Sequence, residues 1–411
     1  MKRPVRILIC ILFASLLFFC GGCQPVDRIL KSVLAETQAP PAPSASADDY
    51  KSRVEFFNAE GTPQYIQKQE LLLYKSEYAD CMGNWFRDRL SGDSLLIYQA
   101  LLYAMEHCYT NVGIFVEDTS MDLYRPRDFL AMDSPFLEQN YSSEEEIVIL
   151  GSRVTYRMDR FCQQAWELKM QALGRAREIA QSVPASCVSE LQRMAYVYDF
   201  LREFVVYTSY QDGQQANYLY DALCRGKTNC DGYSNALALL LRLTGILCCE
   251  AMGDDGTEEK GELVGHTWVC GQLEGRFYNF DATFDEAADD NDFAAYRRYF
   301  GVSDNVLSMT HFEYDEERPV CDEVSRDMDC ADGYFEDMTS YDCIAAAAAL
   351  SDQRTEEGKL RTLLSFPGGF SEKDVEHFMD VFIEQVENSA SVSYIPCFDG
   401  GRTLLLLITE E

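Results

Sequence analysis

The stretch from Gly226 to Asp285 constrains the fold more than any other part of the chain. Asn229 is a good helix N-cap, and apolar residues then recur at helical spacing until Thr244 and Gly245 end the run. The recurring residues are Tyr233, Ala236, Leu237, Leu240, Leu241 and Leu243. The pattern predicts a largely buried helix with Cys230 in its first turn.

A helix start is a place where a cysteine becomes reactive. Unpaired backbone N–H groups and the positive end of the helix dipole favour the thiolate, which is the nucleophilic form. The same N–H groups could hold an oxyanion. Gly226 and Gly232, on either side of Cys230, allow close approach of a substrate or simply make turns. A lone cysteine at a helix start is more often a packing residue. A catalytic role therefore depends on whether a histidine and an acidic residue lie close to it.

Two strands after this helix form the predicted partner structure. Leu263–Cys270 and Arg276–Phe280 are separated by a tight turn at about Leu273–Gly275, which predicts an antiparallel hairpin. One strand contains His266, and Asp281 follows the other.

The register of this hairpin decides whether His266 and Asp281 meet. If Leu273 and Glu274 form the loop, the two residues lie directly opposite. If Glu274 and Gly275 form it, they are diagonal neighbours on one face. In both registers their attachment points are roughly 5 to 8 Å apart. A slip by one residue would place them on opposite faces. An Asp that orients an imidazole, which activates a thiol, is a general arrangement for nucleophilic catalysis.

These motifs resemble the transglutaminase-like, papain-like thiol domain of bacterial secreted lipoproteins. The resemblance rests on the run from Tyr220 to Tyr233, on His266 before Trp268, and on Asp281-Ala282-Thr283-Phe284-Asp285. It covers about Tyr196 to His311. It implies Cys230 as nucleophile, His266 as base and Asp281 as its orienter. The family tends to have Ala and Asn at the positions of Thr267 and Val269, and Trp at that of Phe284, so the substrate preference stays open.

The implied fold class is α+β. The expected core is papain-like, with the Cys230 helix packed on an antiparallel sheet that bears His266 and Asp281. Two amphipathic helices, Arg160–Gln181 and Glu190–Tyr207, are expected to pack beneath the Cys230 helix. The N-terminal region is expected to be mixed and mainly helical, and the C-terminal region to be a small α/β appendage.

The chain start has the pattern of an export signal. Basic residues precede an apolar run from Ile7 to Phe19 that is short for a membrane span, and Gly21-Gly22 precedes Cys23. This resembles a bacterial lipoprotein processing site, which implies a lipid on Cys23, a membrane anchor and an extracytoplasmic location. An ordinary signal peptide is the alternative. The predicted organisation is 1–22 signal peptide, 23–50 flexible tether, 51–160 N-terminal domain, 161–312 catalytic domain and 313–411 C-terminal domain.

The formal charge of −33 argues against nucleic acid as a partner. Gly253–Gly261 is interpreted as a solvated acidic loop without the ligand spacing of an EF-hand, and no cysteine–histidine group has zinc spacing. We therefore predict no metal and no cofactor.

The chain has 16 cysteines. Cys321, Cys330, Cys343 and Cys397 are the best disulfide candidates in an exported protein, and free buried thiols are the alternative.

Two functions remain open at this point. The first is an enzyme that forms a thioester from an amide of a peptide or protein, followed by hydrolysis or transfer to an amine. The second is a non-catalytic surface module that binds peptide or cell-wall polymer. His311 is the only other histidine near these motifs in the sequence, and it is a weak alternative base, because chains of the resembling family often have a histidine here without a catalytic role.

Overall fold

Four sheets and the helices packed on them make up the part of the chain that the structure describes. The structure is a computed structural model, and it describes residues 51–134, 147–158, 163–210, 218–259, 262–286, 298–312, 317–323, 325, 331–356, 361–386, 391–399 and 401–410. The predicted signal peptide, tether and lipidation site at Cys23 lie outside these residues. Within them, no helix is long and apolar enough to cross a membrane.

The described residues begin with a five-stranded antiparallel sheet. In sheet order its strands are β2 (Pro63–Gln67), β1 (Arg53–Phe57), β3 (Asn111–Phe115), β5 (Arg153–Arg157) and β4 (Ile147–Leu150). Helices α1 (Lys68–Leu72), α2 (Gly92–Glu106) and α3 (Arg125–Asp133) accompany it. The region is mixed as expected, but its sheet is larger than the sequence pattern indicated. Ile66 is the single buried residue of edge strand β2. Its sequence therefore lacks the alternation of apolar and polar residues by which a strand is predicted.

Two amphipathic helices precede the cysteine helix, as predicted. They are α4 (Gln163–Ser182) and α5 (Glu190–Phe204). A capping box begins α5, since the Ser189 hydroxyl accepts from the backbone N–H of Gln192 and the Gln192 side chain accepts from the backbone N–H of Ser189. Both helices pack against the Cys230 helix.

The predicted cysteine helix is confirmed. A short helix, α6 (Tyr218–Tyr220), continues into a π-helical turn over Asp221–Arg225. The strands on either side of it, β6 (Val206–Tyr207) and β7 (Lys227–Thr228), form a two-stranded parallel sheet that leads to the cysteine helix. Helix α7 then runs over Cys230–Leu243, and the Asn229 side chain accepts from the backbone N–H of Gly232 at 3.4 Å. Its apolar positions are buried almost completely. Because each buried leucine contributes roughly 1.5–3 kcal/mol, tertiary packing holds the helix in place.

The sheet next to this helix has the order β11-β10-β9-β8 and is antiparallel. Its strands are β8 (Cys248–Glu259), β9 (Glu262–Leu273), β10 (Arg276–Phe280) and β11 (Phe300–Val302). The interpretation of Gly253–Gly261 as a loop was wrong for most of this segment, because β8 continues to Glu259 and pairs with β9. Asp254 in this segment is buried and also pairs with Phe312 on the other side of β8, so an acidic residue does not keep the backbone out of the sheet.

The hairpin of β9 and β10 has the second of the two predicted registers. Leu273 pairs with Arg276, so Glu274 and Gly275 form the turn. Both turn residues have positive φ, of 53° and 82°, as a tight hairpin turn requires. Phe280 pairs with Val269, and this places Asp281 across from Trp268, diagonal to His266.

The C-terminal segment is a small α/β structure, as predicted. A four-stranded sheet has the order β12 (Gly333–Tyr334), β13 (Arg361–Phe366), β15 (Arg402–Glu410) and β14 (Ser391–Asp399). Helices α10 (Tyr341–Glu356) and α11 (Glu372–Ile383) cover it, and the short helices α8 (Ala282–Glu286) and α9 (Asp304–Leu307) precede it. Its core includes Phe366, Phe378 and Phe382.

The described cysteines are free thiols. This includes Cys321, Cys343 and Cys397, while Cys330 lies outside the described residues. Cys321 is fully buried, so the expectation of disulfides gives way to the alternative of free buried thiols at the described positions.

Candidate active site

Cys230 opens helix α7, and its side chain is partly exposed. In the first turn the backbone N–H of Gly232 donates to the Asn229 side chain, whereas those of Cys230 and Asp231 have no acceptor within the helix. Gly232 allows this turn to lie against β7, because a Cβ at Gly232 would come within 1.9 Å of Thr228 Oγ1. The glycine is therefore required by packing beside the thiol.

His266 lies on β9, opposite Gly253 of β8, and only 4% of it is exposed. Its Nε2 is 2.7 Å from Oδ2 of Asp281. The Cys230 thiol forms a hydrogen bond with the same imidazole. The three predicted residues therefore form one line of contacts, from Cys230 through His266 to Asp281.

The environment of His266 favours its charged form. Burial is the largest effect and by itself lowers the pKa, because a charged imidazole loses its hydration. The charge and hydrogen bond of Asp281, with a smaller contribution from Cys230, outweigh burial and raise the pKa of His266 to about 10. The imidazole of His266 is therefore charged at neutral pH, and it lies beside the Cys230 thiol.

Both oxygen atoms of the Asp281 carboxylate have two hydrogen-bond partners each. Its Oδ1 accepts the backbone N–H groups of Thr283 at 2.9 Å and Phe284 at 3.1 Å, so it caps the start of α8. Its Oδ2 contacts His266 at 2.7 Å and His311 at 2.9 Å. Burial opposes ionisation, but the two histidines outweigh it and hold the pKa of Asp281 well below its usual range.

The role of His311 differs from the predicted one. The sequence suggested it as an alternative base, whereas the structure places it behind Asp281, and the thiol hydrogen-bonds to His266. Burial, the largest effect, lowers the pKa of His311, and the charge of His266 lowers it further. A neutral His311 donates through Nε2 to Asp281 and accepts through Nδ1 from Thr310 Oγ1 at 2.9 Å. No spacing rule indicated this contact, because it joins segments 30 residues apart.

Aromatic side chains enclose the two imidazoles. The ring of Phe284 lies 4.7 Å from both His266 and His311, measured between ring centroids. Trp268 meets His311 edge-on at 5.0 Å, and its indole N–H donates to Asn279 Oδ1 at 3.0 Å. Enclosure of this kind strengthens the ion pair, since little water screens it.

Three side chains of the site could in principle bind a metal ion. The ligand atoms of His266, Asp281 and His311 lie within 4.8 Å of one another. A zinc ion would need to sit about 2 Å from each of them. The Nε2 atoms of His266 and His311 instead lie 2.7 and 2.9 Å from Oδ2 of Asp281. These are hydrogen-bond distances, with each imidazole N–H as donor and the carboxylate oxygen as acceptor. We therefore treat the group as imidazole–carboxylate–imidazole.

The fold and the geometry of the site together define the class of thiol site. A thiol at a helix start, an imidazole on an adjacent antiparallel strand and a carboxylate behind it form the arrangement of papain-like thiol sites. The family follows from the sequence: residues 177–282 match the model of the transglutaminase-like superfamily, so this part of the chain is a transglutaminase-like domain. The match includes Cys230, His266 and Asp281. The resemblance to transglutaminase-like domains is thus confirmed for this segment, and the lipoprotein context stays a prediction.

Solved structures similar to this chain come from bacteria. One is the periplasmic domain of TgpA from Pseudomonas aeruginosa bound to ethylmercury, with 20% identity over 35% of this chain and 65% of that chain, at a TM-score of 0.22. Another, from Cytophaga hutchinsonii, is described provisionally as a cysteine protease, with 14% identity over 28% and 37% of the two chains and a TM-score of 0.22.

A third structure is described provisionally as a protease from Parabacteroides distasonis, with 11% identity over 67% of this chain and 58% of that chain, at a TM-score of 0.25. This chain therefore spans less than two thirds of each of these structures. At such TM-scores they add nothing to the family match. No curated protein matches the sequence.

Proposed function

We propose that this protein is a lipid-anchored, extracytoplasmic thiol acyltransferase or hydrolase that forms a thioester with an amide of a peptide or protein. The transglutaminase-like domain supports a thiol-based catalytic role. The observation that carries the proposal is the unbroken line of contacts from the Cys230 thiol through His266 to Oδ2 of Asp281.

In the proposed first step, Cys230 attacks the carbonyl carbon of the amide. A carbon–sulfur bond forms, and the oxyanion lies near the first-turn N–H groups of α7. The carbon–nitrogen bond then breaks. His266 gives its proton to the leaving amine, and Asp281 holds the imidazole in position throughout.

In the proposed second step, an acceptor attacks the thioester. His266 takes a proton from water or from an amine, the carbon–sulfur bond breaks, and the thiolate is restored. Water gives a hydrolase and an amine gives a transamidase. We favour hydrolysis, because water is always present at a cell surface and no amine pocket is identified among the described residues.

The location forms part of the proposal and comes from the sequence. Residues 1–22 have the pattern of a signal peptide, Cys23 follows Gly21-Gly22, and a segment rich in Ala, Pro and Ser precedes residue 50. A diacylglycerol on Cys23 with this tether would hold the domain at the outer side of a membrane.

Acylation by p-nitrophenyl acetate tests the proposal directly. We expect the full-length protein, in detergent, to release p-nitrophenolate in a burst equal to one acyl group per chain, with the acetyl group on Cys230 by peptide mass spectrometry. Cys230→Ala should abolish the burst. Cys224→Ala is the matched control, because Cys224 is an exposed thiol six residues away that the site does not use.

A primary alkylamine, putrescine, then distinguishes the acceptors. Faster release of the acyl group as the acetylated amine supports an amine-using enzyme, and release as acetate at an unchanged rate supports a hydrolase. A wild-type protein that shows no burst, or a burst that persists in Cys230→Ala, would overturn the catalytic proposal. The non-catalytic binding module would then take its place.

A further inference from the structure

Tyr198 and Asp285 form a buried hydrogen-bonded pair behind the backbone of Asp281. Tyr198 comes from α5, and Asp285 lies in α8, one turn after Asp281. The exposed fractions are 0% for Tyr198, 5% for Asp285 and 1% for Asp281. Tyr198 Oη lies 2.8 Å from the carbonyl oxygen of Asp281 and 2.5 Å from Oδ2 of Asp285.

A count of hydrogens decides the protonation state of this pair. A tyrosine hydroxyl has one hydrogen, and a backbone carbonyl oxygen can only accept. The backbone N–H of Asp285 reaches the carbonyl oxygen of Asp281 only at 3.4 Å, so the shorter contact of 2.8 Å is assigned the hydrogen of Tyr198. An ionised Asp285 would also be only an acceptor, and its contact with Tyr198 would then have no hydrogen of its own. A protonated Asp285 removes the conflict, because its O–H donates to Tyr198 Oη.

The other groups around Asp285 agree with a neutral acid. The backbone N–H of Tyr299 donates to the carboxyl oxygens at 3.1 and 3.2 Å, so the second oxygen has a partner. Burial, the largest effect, raises the pKa of Asp285, and the charge of Asp281 adds to it. Tyr198, Arg202 of α5 and the Tyr299 N–H lower it, and the result is a pKa of about 7.

We propose that Asp285 is a neutral carboxylic acid and a positioning residue for Asp281. Its O–H donates to Tyr198, and the O–H of Tyr198 donates to the carbonyl oxygen of Asp281. Two hydrogen bonds thus tie the backbone of the residue that orients His266 to helix α5. Loss of the proton leaves Asp285 as an acceptor only, so the hydrogen of Tyr198 turns to the carboxylate and the bond to the Asp281 carbonyl is lost. A second buried negative charge then lies near Asp281, which moves Asp281 and with it the imidazole.

Infrared spectroscopy tests the protonation without reference to activity. In the difference between the wild-type protein and Asp285→Asn, we expect one carbonyl band of a protonated carboxylic acid at pH 5 and 6. The band should disappear as the pH rises through about 7. A difference spectrum that shows only a carboxylate at pH 5 and 6 overturns the proposal.

The pH profile of acylation tests the positioning role, and this arm rests on the proposed function. We expect kcat/KM for p-nitrophenyl acetate to fall about tenfold above pH 7 in the wild-type protein, as expected for the loss of one buried hydrogen bond. Asp285→Asn has a neutral donor at every pH, so its profile should show no fall between pH 6 and 9. Tyr198→Phe should be lower throughout, without a midpoint near 7.

The control is Glu203→Gln, which removes an exposed carboxylate near the end of the same helix and leaves the two hydrogen bonds intact. It should keep the wild-type profile. A midpoint that survives in Asp285→Asn, or that Glu203→Gln abolishes, overturns the positioning role. If the wild-type protein is not acylated at all, the proposed function fails, and the infrared band still decides the state of Asp285.

Discussion

His266 and His311 contact the same oxygen atom. The Nε2 atom of each lies within hydrogen-bonding distance of Asp281 Oδ2, at 2.7 and 2.9 Å. The two imidazoles are not equivalent, because the pKa of His266 is raised and that of His311 is lowered. One charged and one neutral ring thus hold a single carboxylate, and only the charged ring faces the thiol.

This difference predicts different effects of the same substitution. His311→Gln retains an N–H donor toward Asp281, so we expect burst acylation within a few fold of wild type. His311→Ala leaves an acceptor without its donor, which should cost roughly tenfold or more. His266→Gln removes the base beside the thiol and should lower the rate by about 10²–10⁴. His107→Gln is the control, because His107 stacks on Tyr103 away from the site. Equal losses in His311→Gln and His266→Gln would make His311 a second base.

Alkylation should identify Cys230 among the described thiols. Cys230 is partly exposed at a helix start beside the charged imidazole of His266, so we expect iodoacetamide to modify it first at pH 6. Cys224 is the internal comparison. Reagents can reach it, but partial burial of its sulfur raises the pKa of its thiol. His266→Ala should remove the advantage of Cys230. Peptide mass spectrometry measures both rates in one sample, and comparable rates at pH 6 would contradict an activated thiol.

Gly232 should tolerate no side chain. A Cβ there would meet Thr228 Oγ1 at 1.9 Å and Thr228 Cβ at 2.6 Å, so Gly232→Ala must displace the turn that carries Cys230. We expect destabilisation by about 1–3 kcal/mol and a loss of rapid alkylation. Gly174→Ala, also within a helix, meets nothing within 4 Å and should stabilise slightly or have no effect. Urea unfolding of both variants makes the comparison, and equal stabilities would contradict the predicted clash.

The ion pair of the site predicts how stability changes with pH. The folded-state pKa of His266 is raised from 6.5 to about 10, so its contribution is complete below about pH 6.5 and is lost as the pH rises to about 10. The folded-state pKa of Asp281 is depressed, so its contribution is present above about pH 4 and is lost in stronger acid. Unfolding free energy should therefore fall by a few kcal/mol between pH 6.5 and 10.

Urea unfolding at pH 6, 8 and 10 measures this fall. In His266→Gln the fall should be smaller, since position 266 no longer exchanges a proton between the folded and unfolded states. An identical pH dependence in the two proteins would show that His266 is not charged in the folded state.

The cysteine helix and its hairpin could be predicted from the sequence because both depend on local patterns. Asn229 and the apolar positions after it specify a helix with Cys230 at its start, and a short turn restricts His266 and Asp281 to one face in two registers. Which register forms depended on Glu274, whose φ of 53° completes a turn that sequence rules left open.

The rest of the candidate site depends on contacts between distant segments. His311 reaches Asp281 across 30 residues, and Tyr198 reaches Asp285 across 87 residues. No periodicity or spacing encodes such pairs, because they exist only once helix α5 and the chain after β11 pack around the hairpin. The sequence by itself therefore determined which thiol, imidazole and carboxyl can meet. Tertiary packing decided their protonation states, because burial and neighbouring charges set those.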